Sequence, residues 1–307
     1  MQLPDSQMPV LHPDLYARYL EYLQVSERSA ATYIRALRQL RMWLQSEGIS
    51  SPTRADLISW RRSLILRGLK ATTVQSYITS AKLFFRWLTD EGLYPDISRG
   101  LKGGNVDVDF KRDYLTAPQI QDVIFSIDAT VPAGLRDAAM IALMATCGLR
   151  TIEVSRADVS DLRPLAGKTA LYLHGKGRSD KNEFVIVPPQ VESLLRRYLS
   201  SRNHHPDAPL FTSMSNNNCG ARLTTRSVSA IVKDRLIRAG FDSDRLTAHS
   251  LRHSMVTLAL LSGQEIADVC ESARHRSISS TYRYAHILKR EKNTCSASVA
   301  EQLFPDD

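Results

Sequence analysis

Residues 247–254 read Thr-Ala-His-Ser-Leu-Arg-His-Ser, and the apolar residues that follow them recur at helical spacing. Thr247 is a suitable N-cap, so the pattern predicts a buried helix whose first turn carries His249 and Arg252 on one face. The backbone N–H groups of a first helical turn and a guanidinium both favour an anion such as phosphate. A capping histidine beside a surface arginine would produce the same pattern, so the interpretation depends on the rest of the chain.

The composition is that of an ordinary soluble globular protein. The chain has 307 residues, is 43% hydrophobic and 23% charged, and carries a formal net charge of +8. This length allows two domains, and the basic excess favours a polyanionic partner such as nucleic acid. The four scattered cysteines predict reduced thiols rather than a zinc site. We expect no signal peptide and no membrane-spanning stretch, and therefore a cytoplasmic protein.

Residues 1–98 are predicted to form a helical domain. Apolar residues recur at intervals of three and four in four segments between His12 and Gly92, and strand-like alternation is absent. The outer faces of these helices carry basic and hydroxyl side chains that could contact phosphates or bases, although solvated faces would look the same. The candidate DNA-binding residues here are Arg35, Arg38, Arg61, Lys70, Thr72, Thr73 and Lys82.

Residues 99–113 are rich in glycine and charge and poor in apolar side chains, which predicts an interdomain linker.

The second domain, residues 114–307, is predicted to be mostly helical. Residues 169–187 are its only convincing β segment, a hairpin whose tip carries Lys176 between two glycines. Residues 296–304 predict a short terminal helix with Val299, Leu303 and Phe304 on one face.

Six side chains in the second domain share a chemistry. They are Arg150, Lys176, His249, Arg252, His275 and Tyr284. A tyrosine oxygen can attack a phosphodiester, arginines can stabilise the charge of the transition state, and a lysine or histidine can protonate the leaving oxygen. The set lacks the paired carboxylates of a two-metal phosphodiesterase, and the chain lacks a serine elbow and a P-loop.

Four motifs, in this order along the chain, resemble the boxes of the tyrosine recombinase (phage integrase) family. They are CGLRTIE at 147–153, GKG at 175–177, HSLRHS at 249–254 and HRSISSTYRYAH at 275–286. The resemblance covers roughly residues 12–290, and in length and layout the chain is similar to the Xer-like simple recombinases. Four boxes in the right order are far more specific than any single motif.

The resemblance implies a role for each matching residue. Arg150 and Arg252 would clamp the scissile phosphate, with Glu153 supporting the arginines. Lys176 would protonate the 5′-oxygen, and His249 would act as an acid or base. His275 would bind the phosphate, and Tyr284 would be the nucleophile that forms a 3′-phosphotyrosine.

The resemblance also implies a fold and partners. The expected fold is mostly α with a small β-hairpin or sheet in the catalytic domain. Residues 1–98 would be a SAM-like core-binding domain, and the two domains would form a C-shaped clamp on duplex DNA. The expected partners are double-stranded DNA with a specific recombination site, and further copies of the chain or a related recombinase in a tetramer. No metal, other cofactor or membrane is expected.

Two departures from the family pattern affect the site. Arg274 stands where the family usually has glycine before the histidine of the last box, and we expect it to add a contact to DNA or alter the turn. Tyr282 is a rival nucleophile, but its position relative to His275 and His286 favours Tyr284.

The sequence leaves other functions open. A type IB topoisomerase shares this chemistry, and a catalytically silent DNA-binding regulator could retain the fold. Within the recombinases, the sequence does not choose between integration or excision of a mobile element and resolution of chromosome or plasmid dimers.

Overall fold

The computed structural model describes residues 12–104, 113–174, 183–291 and 295–304. The chain divides into two compact units, Met1–Asp109 and Phe110–Asp307. Helices predominate in both, and a small antiparallel sheet lies in the second, as the sequence predicts. None of the helices in these ranges has the length and apolar character needed to cross a bilayer.

Within residues 12–104, the described part of the first unit, there are four helices, in agreement with the sequence prediction. They are α1 (Pro13–Leu23), α2 (Glu27–Ser46), α3 (Arg54–Leu66) and α4 (Ala71–Asp90). Ser26 caps α2, and a capping box at Thr53 begins α3. Apolar side chains three and four residues apart on α4 are fully buried, and they form the centre of the core. An aromatic cluster of Tyr19, Phe84 and Trp87 joins α4 to α1.

Residues 99–104, which the sequence places in the linker, pack against this first unit. Leu101 is 3% exposed and belongs to the core of the unit. The guanidinium of Arg61 donates to the carbonyl of Gly103 at 3.0 Å, and that of Arg54 donates to the carbonyl of Arg99 at 2.5 Å. The packed structure of the first unit therefore continues beyond residue 98, because the side chains of Leu101, Arg54 and Arg61 hold this segment in place.

The second unit is built around one buried helix. Its helices are α5 (Ala117–Phe125), α6 (Pro132–Cys147), α7 (Thr151–Arg156), α8 (Pro189–Ser200), α9 (Thr225–Arg238), α10 (Ala248–Leu261), α11 (Ile266–Ser272), α12 (Ser279–Glu291) and α13 (Cys295–Leu303). Nearly every residue of α6 is buried, as predicted, and α5, α8, α9 and α10 pack around it. The chain reverses at Gly148 (φ +60°), where glycine adopts the left-handed conformation that ends many helices.

The sheet has three strands rather than the two of the predicted hairpin. Its strands are β1 (Leu162–Leu165), β2 (Lys168–Leu173) and β3 (Glu183–Ile186), with β2 in the centre and both pairings antiparallel. The prediction of one hairpin missed β1, which is an edge strand containing Pro164 and burying little of its surface. Ala166 and Gly167 form its two-residue turn, both at positive φ, without the asparagine or aspartate that usually signals such a turn. The hairpin tip with Lys176 lies outside the described residues.

The predicted terminal helix is present as α13. Val299, Leu303 and Phe304 are 53%, 67% and 67% exposed. A helix of nine residues is marginally stable by itself, so this apolar face favours contact with another surface.

We expect Leu101→Ala to lower the free energy of unfolding of the first unit by about 2–5 kcal/mol, because it removes a fully buried side chain. Lys102→Ala is the matched control, since the neighbouring Lys102 is exposed. Urea unfolding of the full chain, followed by tryptophan fluorescence, would measure this unit selectively. All three tryptophans, Trp43, Trp60 and Trp87, lie in it. Equal midpoints for the two variants would contradict the packing of this segment.

Candidate active site

The site is organised by α10, the helix that begins after Thr247. The hydroxyl of Ser250 accepts the N–H of Thr247 at 3.0 Å and holds the first turn in place. Further along the helix, Ser254 accepts the N–H of Leu115 at 2.8 Å and donates to the carbonyl of Ser250. The hydroxyls of Ser250 and Ser254 thus bond to groups inside the fold. Every residue of α10 from Ser250 to Thr257 is buried.

Arg252 is held by backbone carbonyls at the ends of two helices. Its guanidinium donates to the carbonyl of Gly148, after α6, at 2.6 Å, and to that of Ala273, after α11. Helix C-termini present unsatisfied carbonyls with negative partial charge, which suits a cation. Burial, followed by the nearby charges of Arg150 and Arg274, lowers the pKa of Arg252 below its ordinary value.

Arg150 is oriented by Glu153, three residues later on α7. One guanidinium nitrogen of Arg150 donates to Glu153 Oε1 at 2.6 Å, and the backbone N–H of Arg150 donates to Oε2 at 2.8 Å. Glu153 is only 3% exposed. Burial alone would raise the pKa of this carboxyl, but Arg274 and Arg150 outweigh burial and lower it. Glu153 is therefore ionised at neutral pH and bonds to Arg150, while its supporting role in catalysis stays a prediction.

Arg274 places a third guanidinium in the same cluster. Its backbone is in the left-handed region at φ +52°, where glycine is the usual residue. Its guanidinium donates to Glu153 Oε2 at 2.9 Å and to the carbonyls of Cys147, Gly148 and Ser272. Its side chain is 6% exposed, and its buried Nε has no hydrogen-bond partner within the described part of the chain. The DNA contact that we predict for Arg274 would therefore be made from a buried position.

His275 and Tyr284 stack beside this cluster. Their ring planes are 14° from parallel, with centroids 6.4 Å apart, and His275 Nδ1 is 2.8 Å from the hydroxyl of Thr281. Burial, and then the positive charges of Arg252 and Arg150, lower the pKa of His275 to about 4, so its imidazole is neutral at pH 7. Tyr284 is 8% exposed, whereas Tyr282 is 53% exposed.

His253 stands within the HSLRHS motif, but the sequence analysis gave it no role. Its Nδ1 forms a hydrogen bond with the hydroxyl of Tyr284, 31 residues further along the chain. His249 and His253, one helical turn apart on α10, meet edge to face with ring centroids 4.6 Å apart. The four-residue spacing of these histidines was the available sequence signal.

The structure therefore brings four of the six predicted catalytic residues together directly. Arg150, Arg252, His275 and Tyr284 share one cluster with Glu153, and the exposed His249 lies at its edge through its contact with His253. Lys176, the sixth, lies outside the described residues.

The predicted DNA-binding residues of the first unit differ in exposure. Arg35, Arg38, Lys70 and Thr72 are exposed, while Arg61, Thr73 and Lys82 are half-buried. Arg61 also fastens residue 103, so part of its role is structural. Contact of these residues with DNA stays a prediction.

Comparison with known proteins identifies related families. At residues 113–291 the chain matches the model of the phage integrase family, and at residues 14–92 it matches the model of the phage integrase N-terminal SAM-like domain. Tyrosine recombinase XerD of Listeria monocytogenes is 26% identical over 296 residues, covering 90% of this chain and 95% of the relative. Tyrosine recombinase XerC of Bacillus subtilis is 25% identical over 287 residues, covering 88% and 91%.

Solved structures of low sequence identity share the fold. The XerH site-specific recombinase bound to palindromic difH substrate has a TM-score of 0.71 at 22% identity, covering 89% of this chain and 80% of that one. A lambda integrase dimer bound to a COC′ core site has a TM-score of 0.69 at 16% identity, covering 88% and 95%. Because the phage integrase model alone matches more than half of the sequence, around the arginine and tyrosine cluster described above, this chain belongs to the phage integrase family.

Proposed function

We propose that this protein is a site-specific DNA recombinase that cleaves and rejoins duplex DNA through a covalent 3′-phosphotyrosine. The observation that carries the proposal is the position of Tyr284, a buried tyrosine packed beside His275 and close to Arg252. This combination provides a nucleophile and the donors that a phosphodiester needs, in one enclosed place.

The proposed reaction assigns a role to each residue. Tyr284 Oη attacks the phosphorus, the bond to the 5′-oxygen breaks, and the DNA 3′-phosphate becomes joined to the tyrosine. Arg150 and Arg252 stabilise the non-bridging oxygens, and the neutral His275 adds a hydrogen bond. Lys176, with His249 as a further acid or base, supplies the proton that the 5′-oxygen takes as it leaves. Attack by a 5′-hydroxyl reverses these steps and rejoins the strand.

The alternatives are less well supported. A catalytically silent regulator would not need the set of cations and tyrosine that the site retains. A type IB topoisomerase shares the chemistry, but the family models and the recombinase relatives of similar length favour a recombinase. Mobile-element integration and dimer resolution both stay open as biological roles.

The proposed substrate is double-stranded DNA carrying a specific recombination site. The proposed location of the activity is the cytoplasm. The lambda integrase relative is described as a dimer bound to a core site. A similar assembly, closing to a tetramer, would give the apolar face of α13 a surface to cover it. A head-to-tail contact of this kind can close a ring.

We expect Tyr284→Phe to abolish covalent attachment to DNA and to leave affinity for a single site nearly unchanged, because only the attacking oxygen is lost. Tyr282→Phe is the matched control and should cleave normally. Denaturing gels of the protein on labelled site DNA would measure both. A covalent adduct in Tyr284→Phe would contradict the assignment.

Arg150→Ala should reduce the single-turnover cleavage rate by about 10²–10³-fold, the usual cost of one preorganised donor. Binding should change far less, because many other contacts hold the DNA. Arg156→Ala, an exposed position on the same helix, controls for effects on α7. Cleavage by Arg150→Ala at the Arg156→Ala rate would refute the clamp.

The paired substitution Leu303→Asp with Phe304→Asp should leave single-site binding intact and weaken the pairing of two sites, since charge opposes burial of the α13 face. Gln302→Asp, an exposed neighbour, adds charge without removing apolar surface. Native gel shifts with one-site and two-site complexes would compare them. Normal pairing by the double variant would show that α13 does not join protomers.

A further inference from the structure

The hydroxyl of Tyr284 has a hydrogen-bond partner to which the family motifs assign no role. His253 Nδ1 bonds to this hydroxyl, and the two rings lie 5.3 Å apart at 41°. Both residues are 8% exposed. A tyrosine hydroxyl that donates to Nδ1 requires that atom to be the unprotonated nitrogen, with the ring proton on Nε2. This neutral form of His253 can accept a proton.

The neighbouring histidines are arranged differently. His275 stacks parallel to Tyr284, but its Nδ1 is directed at Thr281. His249 is exposed, and its ring meets that of His253 edge to face. The hydrogen bond from the tyrosine oxygen to His253 Nδ1 therefore makes His253 a candidate base.

Packing fixes this arrangement. Tyr284 on α12 belongs to a small apolar cluster with Met255 and Val256 of α10 and Val269 and Ala273 of the α11 region. His253 lies on α10 next to this cluster and directly after Arg252. The helix that presents the phosphate-clamping arginine therefore also presents a base to the nucleophile, and packing between α10 and α12 sets their separation.

We propose that His253 is the general base of strand cleavage. A tyrosine has a pKa of about 10, so at neutral pH its hydroxyl must lose a proton as it attacks. In the proposed step the proton passes from Tyr284 Oη to His253 Nδ1 while the Oη–phosphorus bond forms. The phosphorus–O5′ bond breaks, and the leaving 5′-oxygen takes a different proton from the acid, for which we propose Lys176.

The reverse step balances in the same way. During rejoining a 5′-hydroxyl attacks and gives its proton to the acid that was deprotonated during cleavage, for which Lys176 is proposed. The tyrosine oxygen leaves, and protonated His253 returns its proton to that oxygen. The positive charge that His253 carries between the two steps lies near Arg252, and the negative phosphodiester offsets both charges. This role rests on the proposed function of Tyr284 as the nucleophile.

The first test is single-turnover cleavage by His253→Ala and His253→Asn. We expect both to lose about 10²–10⁴ in rate, the usual contribution of a positioned base, with little change in DNA affinity. Asparagine keeps an acceptor oxygen near the position of Nδ1 but cannot take up the proton. Full activity of His253→Asn would show that His253 only positions the hydroxyl, and would overturn the proposal.

A second test separates a base from an acid. A 5′-bridging phosphorothiolate leaves without needing a proton. This substrate should restore cleavage by Lys176→Ala and leave His253→Asn slow. Equal rescue of both variants would assign His253 to the leaving group instead and contradict the proposal.

A third test changes the nucleophile. Fluorinated tyrosine, whose hydroxyl is more acidic, would be incorporated at position 284 in proteins with His253 or with His253→Asn. Fluorination should accelerate the variant relative to its own tyrosine form and should not accelerate the protein that retains His253. Absence of acceleration in the variant would contradict proton transfer to His253.

Two controls make every outcome interpretable. Thermal unfolding and single-site binding identify a variant that has lost its fold, and His253→Asn, which changes volume least, carries the test if His253→Ala unfolds. Mapping the wild-type adduct to Tyr284 tests the proposed function separately. A missing wild-type adduct would refute the nucleophile, whereas a normal adduct with active His253 variants would refute only the base.

Discussion

The active site depends on one buried carboxylate, that of Glu153. It accepts from Arg150 and Arg274, while Arg252 lies close enough to interact electrostatically with all three. Three guanidinium groups in a largely buried place would repel one another strongly without an anion among them. Glu153 offsets part of this charge and leaves a net positive cluster, which suits a phosphodiester. The carboxylate therefore allows the site to be folded and cationic at the same time.

The same charges act on the neighbouring groups. Together with burial, which is the larger cause, they keep His275 neutral, so it can contribute a hydrogen bond without adding to the repulsion. Arg274 takes part from a backbone conformation that normally favours glycine. Its bonds to Glu153 and to three carbonyls offset the cost of that conformation. Arg274, for which the sequence predicts a DNA contact or an altered turn, is thus part of the buried network that includes Arg150.

Sequence patterns predicted the features whose signals are local. Helical spacing predicted the four helices of the first unit, and three short motifs singled out Arg150, Arg252, His275 and Tyr284 as candidates. The features that were missed depend on distant contacts or weak local signals. His253 bonds to a tyrosine on another helix, and Leu101 is buried although its own segment looks like a linker. The strand β1 has a proline, little burial and an atypical turn, so no local pattern marks it.

The anchoring of Arg252 has a consequence for how the family can diverge. Its guanidinium is held by the carbonyls of Gly148 and Ala273, which belong to the backbone and are present whatever residue a mutation introduces. Substitutions along α6 and α11 can therefore accumulate without removing the acceptors, provided that both helices still end at the same points. We therefore expect constraint to fall on helix length and termination more than on side-chain identity, which accords with the fold that this chain shares with solved structures 22% and 16% identical to it.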